Sequence, residues 1–419
     1  MSELKRSDIE IMAPVGSYES LAAAIQGGAN SVYFGIDKLN MRSRSANNFG
    51  TDDLRNIVRI CKENGLNSYL TLNTVIYNDD LSLMREIVDI AKEVGLTAII
   101  ASDVSVLLYA KQVGVEVHLS TQLNIANTDA VKFYSAYADV VVLARENNMD
   151  QVKAIHESIV NENICGPSGK PIRIEMFCHG ALCMAVSGKC YLSLQNYAAS
   201  ANRGACYQLC RRSYILTDKE TGDEIEVDNQ YLMSPKDLKT IHFLNKVIDS
   251  GVRVLKIEGR ARGPEYVKTV VSCYNEAVNS ILDGTYNEAK ISEWNERLKK
   301  VFNRGFWNGY YLGQRLGEWS HVYGSGATKK KVYVAKINKH FSKIGVAEIY
   351  QETNAGISEG DDLIIVGPTT GVIECKAENM MVNGQVQNHV SRGTVFSMKV
   401  PVKVRPSDKV YKMEDTLND

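Results

Sequence analysis

Short apolar, β-branched runs alternate with amphipathic helical stretches from the first ten positions to about Asp283, the pattern of strand–helix units laid around a parallel sheet. The runs are Ile9 to Met12, Ser31 to Phe34, Ser68 to Leu72, Ala98 to Ala101, Val115 to Leu119, Val140 to Leu143, Ile172 to Phe177 and Val252 to Ile257. Between them, Tyr18 to Gln26, Asp52 to Glu63, Leu81 to Glu93 and Val104 to Gln112 carry helical periodicity. Each is followed by residues that can end a helix in the left-handed conformation: Gly27-Gly28, Asn64-Gly65, Gly95 and Gly114. Eight such strands predict an α/β fold, a closed (β/α)8 TIM-like barrel. An open doubly wound sheet is the competitor, but Pro14 and Gly16 are not followed by the third spaced glycine of its fingerprint.

The alternation breaks once, after the seventh strand, where residues 178–233 form a cysteine-rich insertion. Ser234-Pro235-Lys236-Asp237 then reads as a helix start, with Ser as N-cap and Pro at the first helical position. An insertion at a strand's C-terminal end falls on the face where barrel active sites collect. The barrel with its insertion is assigned to residues 1–285. A helical connector follows over 286–328, with a helix near Ile291 to Phe302 and the aromatic stretch Gly305-Phe306-Trp307-Asn308-Gly309-Tyr310-Tyr311. Strand-like runs then recur at short intervals: Val332 to Ile337, Ile344 to Ile349, Asp362 to Val366, Gly371 to Cys375 and Val395 to Val400. They predict a small antiparallel β-barrel over 329–408, ahead of a frayed polar tail, 409–419.

Charge adds little at the global level, since 48 Lys plus Arg nearly cancel 49 Asp plus Glu in 419 residues. A polyanionic partner must therefore meet a local patch. No stretch approaches the roughly 20 apolar residues of a membrane helix, and the N-terminus lacks an apolar signal core. A soluble cytoplasmic protein with no membrane partner is expected. In a reducing compartment, Cys183, Cys190, Cys206 and Cys210, spaced C-x6-C-x15-C-x3-C, point to a metal or cluster rather than disulfides. Gaps of this size suit an iron–sulfur cluster gathered by a wrapped loop better than the tight knuckles of structural zinc, and zinc remains the alternative. Cys61, Cys273 and Cys375 read as core residues and Cys165 as a loop thiol. Cys178 is open between core packing, a substitute ligand and a catalytic thiol.

The run Glu175 to Ser193, with Phe177, Gly180, Cys183, Gly188, Cys190 and Ser193 at fixed spacings, resembles the signature of the family long called U32 peptidases, the collagenase-like proteins. The resemblance extends through Asn202 to Arg212, Tyr231 to Leu238, Met12 to Ser17 and Ala29 to Gly35, and so spans nearly the whole chain. Within that family the chain looks most like the bacterial tRNA hydroxylation proteins. The resemblance implies oxygen-independent, prephenate-dependent conversion of the wobble uridine to 5-hydroxyuridine. It also implies a [4Fe-4S] cluster on Cys183, Cys190, Cys206 and Cys210, with relatives acting on ribosomal RNA or small aromatic precursors. A second family subunit would be a further partner, and the electron donor is left open.

The strand ends supply the remaining candidates. Arg42, Arg145 and Arg260 suit a dicarboxylate such as prephenate, against the alternative that Arg145 pairs with Glu146 and Arg260 with Glu258. Gln122, after the fifth strand, joins them as a substrate-binding candidate. His179, Glu258 and Arg260 are the catalytic candidates, His179 as an acid or base. Arg203, Arg211, Arg212, Lys329 to Lys331 and the tyrosines Tyr191, Tyr197 and Tyr207 are candidate RNA contacts. Hydrolysis is the competing class. Neither H-E-x-x-H nor G-x-S-x-G occurs, and only Cys178 beside His179 hints at a thiol site. A non-catalytic RNA-binding or chaperone role is the third, disfavoured by the clustered thiols.

Overall fold

The computed structural model describes residues 4–36, 38–43, 48–227, 233–322 and 324–416. Seven strands, Glu10–Pro14, Ser31–Phe34, Asn67–Leu72, Ala98–Ala101, Glu116–Leu119, Val140–Val142 and Arg173–Gly180, form one parallel sheet with an eighth, Val252–Ile257. Leu255 of the eighth strand lies opposite Met176 of the seventh and Ile11 of the first, so the sheet closes into the expected barrel. The period of two along each strand divides the core. Ile11, Ala13, Val32 and Phe34 pack outward against the helices, while Met12, Tyr33, Tyr69, Ala98, Ile100, Val140 and Val254 fill the lumen. The surrounding helices begin where the chain supplies capping oxygens: Ser17, Asp103 and Asn127 accept from the N–H groups of Ser20, Ser105 and Ala130.

The lumen below the mouth is ionic. Lys256 Nζ donates to Glu175 Oε1 at 2.6 Å, and His118 Nδ1 lies 3.4 Å from Glu175 Oε2. Deeper, Tyr69 OH donates to Glu10 Oε1 at 2.6 Å, and Arg173 closes the base on Glu10 at 3.1 Å. Burial alone would raise the Glu175 pKa, but the charges of Lys256 and His118 bring it below the usual glutamate value. Charges inside a barrel persist only when paired in this way.

Three stretches differ from the sequence reading. Ser234-Pro235-Lys236-Asp237 does not open a helix. Asp237–Lys239 is a short strand, antiparallel to the end of the seventh barrel strand and parallel to Phe306–Trp307, and the helix begins only at Leu244–Asp249. The N–H of Lys236 donates to Glu318 O at 3.0 Å and that of Asp237 to Gly305 O at 2.9 Å, so distant acceptors outcompete the local helix start. The seventh strand also runs on to Gly180, which makes Cys178 and His179 strand residues rather than part of the insertion. The insertion itself contains a hairpin, Tyr214–Thr217 with Glu224–Val227, that the apolar pattern did not announce. Tyr231 and Leu232 lie outside the described residues.

The third difference is at the C-terminus. Residues 409–419 were expected to fray, yet Lys409–Asp415 is a central strand, paired with Lys329–Phe341 on one side and Asp362–Gly367 on the other. Its charges have partners: Asp415 with Lys329, Glu414 with Lys330 and Lys412 with Asp361. Val410 is fully buried. Residues 417–419 are outside the described set. The sheet to which this strand belongs has eight antiparallel strands over a core that includes Val334, Ile337, Ile349, Ile365 and Phe396. Between barrel and sheet, the helix Glu288–Lys299 is tied to helix Pro264–Leu282 through Trp294 and Arg297 on Glu276. Among the described residues no helix is long and apolar enough to cross a membrane.

Candidate active site at the barrel mouth

The C-terminal ends of the barrel strands and the cysteine-rich insertion enclose a cavity of about 220 Å³. Arg42, Asn73, Gln122, Arg145, Lys256, Glu258 and Arg260 reach it from the barrel, and Cys183, Cys190, Cys206, Cys210 and Arg211 from the insertion. Arg262 and Arg304 complete a lining in which seven cationic side chains face one carboxylate, Glu258. Three of these cations, Lys256, Arg260 and Arg304, are buried, and such an excess of positive charge around a cavity favours anionic ligands.

Glu258 organises the rim. Its carboxylate accepts from Arg42 NH2 at 2.9 Å and from Tyr33 OH at 3.3 Å. Burial would raise its pKa, but Arg42, Arg145 and Arg260 outweigh burial and hold it at about 2, so it is ionised at neutral pH. Arg260 is not its hydrogen-bonded partner. That guanidinium donates to Asn40 Oδ1 at 3.1 Å and Thr71 Oγ1 at 3.0 Å, both neutral, and burial lowers its pKa to about 10. Room for it depends on two glycines: a Cβ at Gly16 would collide with the Arg260 carbonyl, and one at Gly35 with its guanidinium. These glycines belong to the two N-terminal stretches that carry the family resemblance.

Arg145 does not pair with Glu146. It lies over the Phe177 ring, 3.7 Å from its centroid, and donates to Ala181 O at 2.8 Å, while its buried Nε has no hydrogen-bond partner among the described residues. Gln122 accepts from Ser120 and from Asn73, which fixes its amide at the cavity wall.

All four clustered cysteines are free thiols and all four line the cavity. Burial raises the Cys210 thiol to about 11; Arg211 opposes this, and the neighbouring Cys183, Cys206 and Cys190 add to it. Donor type and number fit a thiolate-bound group. The side chains are not drawn into a closed cage: among the described residues no three His, Cys, Asp or Glu stand ready to hold a metal ion.

Other sequence candidates sit elsewhere. His179 is buried outside the lumen among Tyr266, Tyr274 and Phe306, and burial together with the Lys239 charge lowers its pKa to about 3. Cys178 is fully buried and its thiol is pushed far above the usual range, so the adjacent pair forms no thiolate–imidazolium site. Arg203 is spent on Asp80, in a two-pronged pair at 2.6 and 3.1 Å, with Tyr77 stacked beneath it. Among the candidate RNA contacts, Tyr191, Tyr197 and Tyr207 are exposed on the insertion, and Arg212 donates to Tyr197 OH at 2.9 Å. Lys329, Lys330 and Lys331 are engaged by Asp415, Glu414 and Glu265.

Sequence reasoning missed Lys256, Glu175, Arg262 and Arg304. The first two left a signal, a charge at an inward position of an otherwise apolar barrel strand. The other two left none, because their loops are brought to the mouth only by the fold.

A closed parallel barrel with convergent charges and thiols at the C-terminal mouth of its strands has the build of a barrel enzyme. The profile of Peptidase family U32 matches residues 16–321, and the chain belongs to that family. It is 62% identical to a protein of Porphyromonas gingivalis named collagenase, over 97% of this chain and 98% of the relative. It is also 32% identical to tRNA hydroxylation protein P1 of Bacillus subtilis, over 86% of this chain and 83% of the relative. A 23S rRNA 5-hydroxycytidine synthase of Escherichia coli matches at 32% identity over 74% of this chain and 46% of its own length.

Proposed function

We propose that this protein hydroxylates the wobble uridine of tRNA to 5-hydroxyuridine without molecular oxygen, with prephenate as co-substrate and a [4Fe-4S] cluster on Cys183, Cys190, Cys206 and Cys210. The observation that carries the reading is the convergence of those four thiols on the same cavity as an excess of guanidinium groups. When bound, such a cluster supplies one-electron transfer; zinc on the same thiolates would be a closed structural site. Replacing the C5–H of the base by C5–OH removes two electrons and requires a redox partner, a demand that zinc does not meet.

The chain's own residues account for binding. Arg260, held by neutral groups only, and Arg145, with an unsatisfied Nε, suit the two carboxylates of prephenate. Ionised Glu258 keeps Arg42 oriented toward the same space. The lumen pair Lys256–Glu175 closes the floor below. The tRNA hydroxylation and rRNA hydroxycytidine relatives support RNA as the substrate class.

The second reading is a peptidase, favoured by the name of the Porphyromonas relative. No histidine lines the cavity among the described residues, and the Cys178–His179 pair is buried away from it. Among the described residues no thiol–imidazole or hydroxyl–imidazole pair therefore lines the cavity where a peptide would enter.

Nucleoside analysis of tRNA from a strain lacking the gene decides between them. Loss of 5-hydroxyuridine is expected, restored by the wild-type gene and not by Cys206→Ser. Protein purified without air is expected to contain iron and acid-labile sulfide in equal amounts. Unchanged 5-hydroxyuridine, or iron-free protein that cleaves collagen, overturns the proposal.

A further inference from the structure

One group of cations at the cavity makes no hydrogen bond to Glu258 among the described residues. Arg211 ends the short turn Leu209–Arg211 of the insertion, Arg262 lies between the eighth barrel strand and helix Pro264–Leu282, and Arg304 follows helix Glu288–Lys299. All three line the cavity, although their stretches are far apart in the chain.

Their charges are poorly balanced. Among the described residues Arg211 donates to neutral acceptors, Ser234 Oγ at 3.1 Å, Pro235 O at 3.2 Å and Leu182 O at 2.7 Å. Arg262 lies over the Phe302 ring, 3.4 Å from its centroid, and has no ion pair among the described residues. Arg304 approaches the same ring at 4.9 Å. Only 9% of Arg304 is exposed, and its NH1 has no hydrogen-bond partner among the described residues. Asp237 is the nearest acid, but its Oδ1 stands 3.6 Å from that NH1 and likewise lacks a hydrogen bond. Among the described residues, Asp237 is the one carboxylate within 4 Å of these three guanidiniums. Burial, then the Arg211 charge, lower the Arg304 pKa to about 10, with Asp237 opposing.

We propose that Arg211, Arg262 and Arg304 form a phosphate subsite, separate from the Arg42–Glu258–Arg260 rim, that holds the phosphodiester next to the nucleotide being modified. The assignment rests on the RNA reading above and specifies where that substrate is gripped. A phosphodiester presents anionic oxygens that guanidinium forks bind in pairs, and it carries no base identity, so this subsite positions the strand rather than selecting its sequence. Carboxylates are left to Arg145 and Arg260 on the barrel side of the cavity.

The test compares binding of the dinucleoside monophosphate UpU, its neutral methylphosphonate analogue and inorganic phosphate at one ionic strength. Wild-type protein is expected to bind UpU at least tenfold tighter than the neutral analogue. R304Q and R262Q are each expected to reduce that preference to less than threefold, and R304K to keep most of it. R211Q, on the insertion and outside the barrel core, repeats the comparison should R304Q fail to fold. Equal binding of UpU and its neutral analogue by wild-type protein overturns the subsite, as does a preference that survives R211Q, R262Q and R304Q. Inorganic phosphate binding as tightly as UpU also overturns it, in favour of a free-phosphate site. Intact 5-hydroxyuridine in the deletion strain would remove the hydroxylase reading without touching these binding ratios, so the two failures are distinguishable.

Discussion

Glu258 shows how a single side chain serves both site and stability. Its carboxyl is held at about 2 in the folded protein, against roughly 4.3 for an unperturbed glutamate. The folded state therefore binds its proton less readily than the unfolded chain does. The resulting stabilisation, on the order of 3 kcal/mol, is complete above pH about 4.5 and disappears as the pH falls toward 2. Glu258→Gln is expected to lower the unfolding free energy at pH 7 by an amount of that order. The gap between variant and wild type should narrow by about half as denaturant titrations are moved from pH 5 to pH 3 and shrink further toward pH 2. A gap that does not change with pH would show that Glu258 acts through shape rather than charge. At this scale the sequence was partly legible. Arg145, Gln122, Glu258 and Arg260 stood just past strand ends, Arg42 in the loop after the second strand, and all reached the cavity. His179 and Arg203 stood equally near the right motifs and did not, because the facing of a strand residue and the reach of a neighbouring acid are settled by packing.

Among the elements, the strand Lys409–Asp415 departs most from its composition. A central strand supplies ladder hydrogen bonds on both edges, and Val410 adds buried apolar area to the sheet's core. Truncation after residue 408 should strip partners from two strands at once. The expected result is loss of the cooperative unfolding of the C-terminal sheet, seen as fast proteolysis of residues 329–408, whereas truncation after residue 416 leaves digestion unchanged. Equal resistance of both truncated chains would contradict the pairing. The barrel strands were legible because burial on both faces leaves an apolar run. This strand was not, because its partners lie in the strands Lys329–Phe341 and Asp362–Gly367, and local polarity masks a strand whose charges are paired across a sheet. The Ser234-Pro235 helix start failed for a related reason: capping preferences of about 1 kcal/mol yield to sheet pairing with Gly180 and His179.

For the molecule as a whole, the C-terminal sheet is fastened to the barrel's first and last helices. Gln26 donates to Thr370 O at 2.9 Å and accepts from Val372 N–H at 2.9 Å, and Lys268 Nζ donates to Val372 O at 3.0 Å. Lys331 pairs with Glu265 at 2.7 Å across the same junction. Each bond contributes about 1 kcal/mol. Combining Gln26→Ala with Lys268→Ala should therefore split a single thermal transition into two, with the sheet melting first; one unbroken calorimetric peak would argue against this fastening. By itself, the order of residues determined the eight βα units, the place of the insertion and the four thiols within it, since these depend on periodicity and spacing along the chain. Only the tertiary structure decided that those thiols share a cavity with seven cations, that Arg262 and Arg304 belong to it, and that the last strand is central. Such proximities arise when the barrel closes and distant loops meet over its mouth, and local sequence carries no record of that meeting.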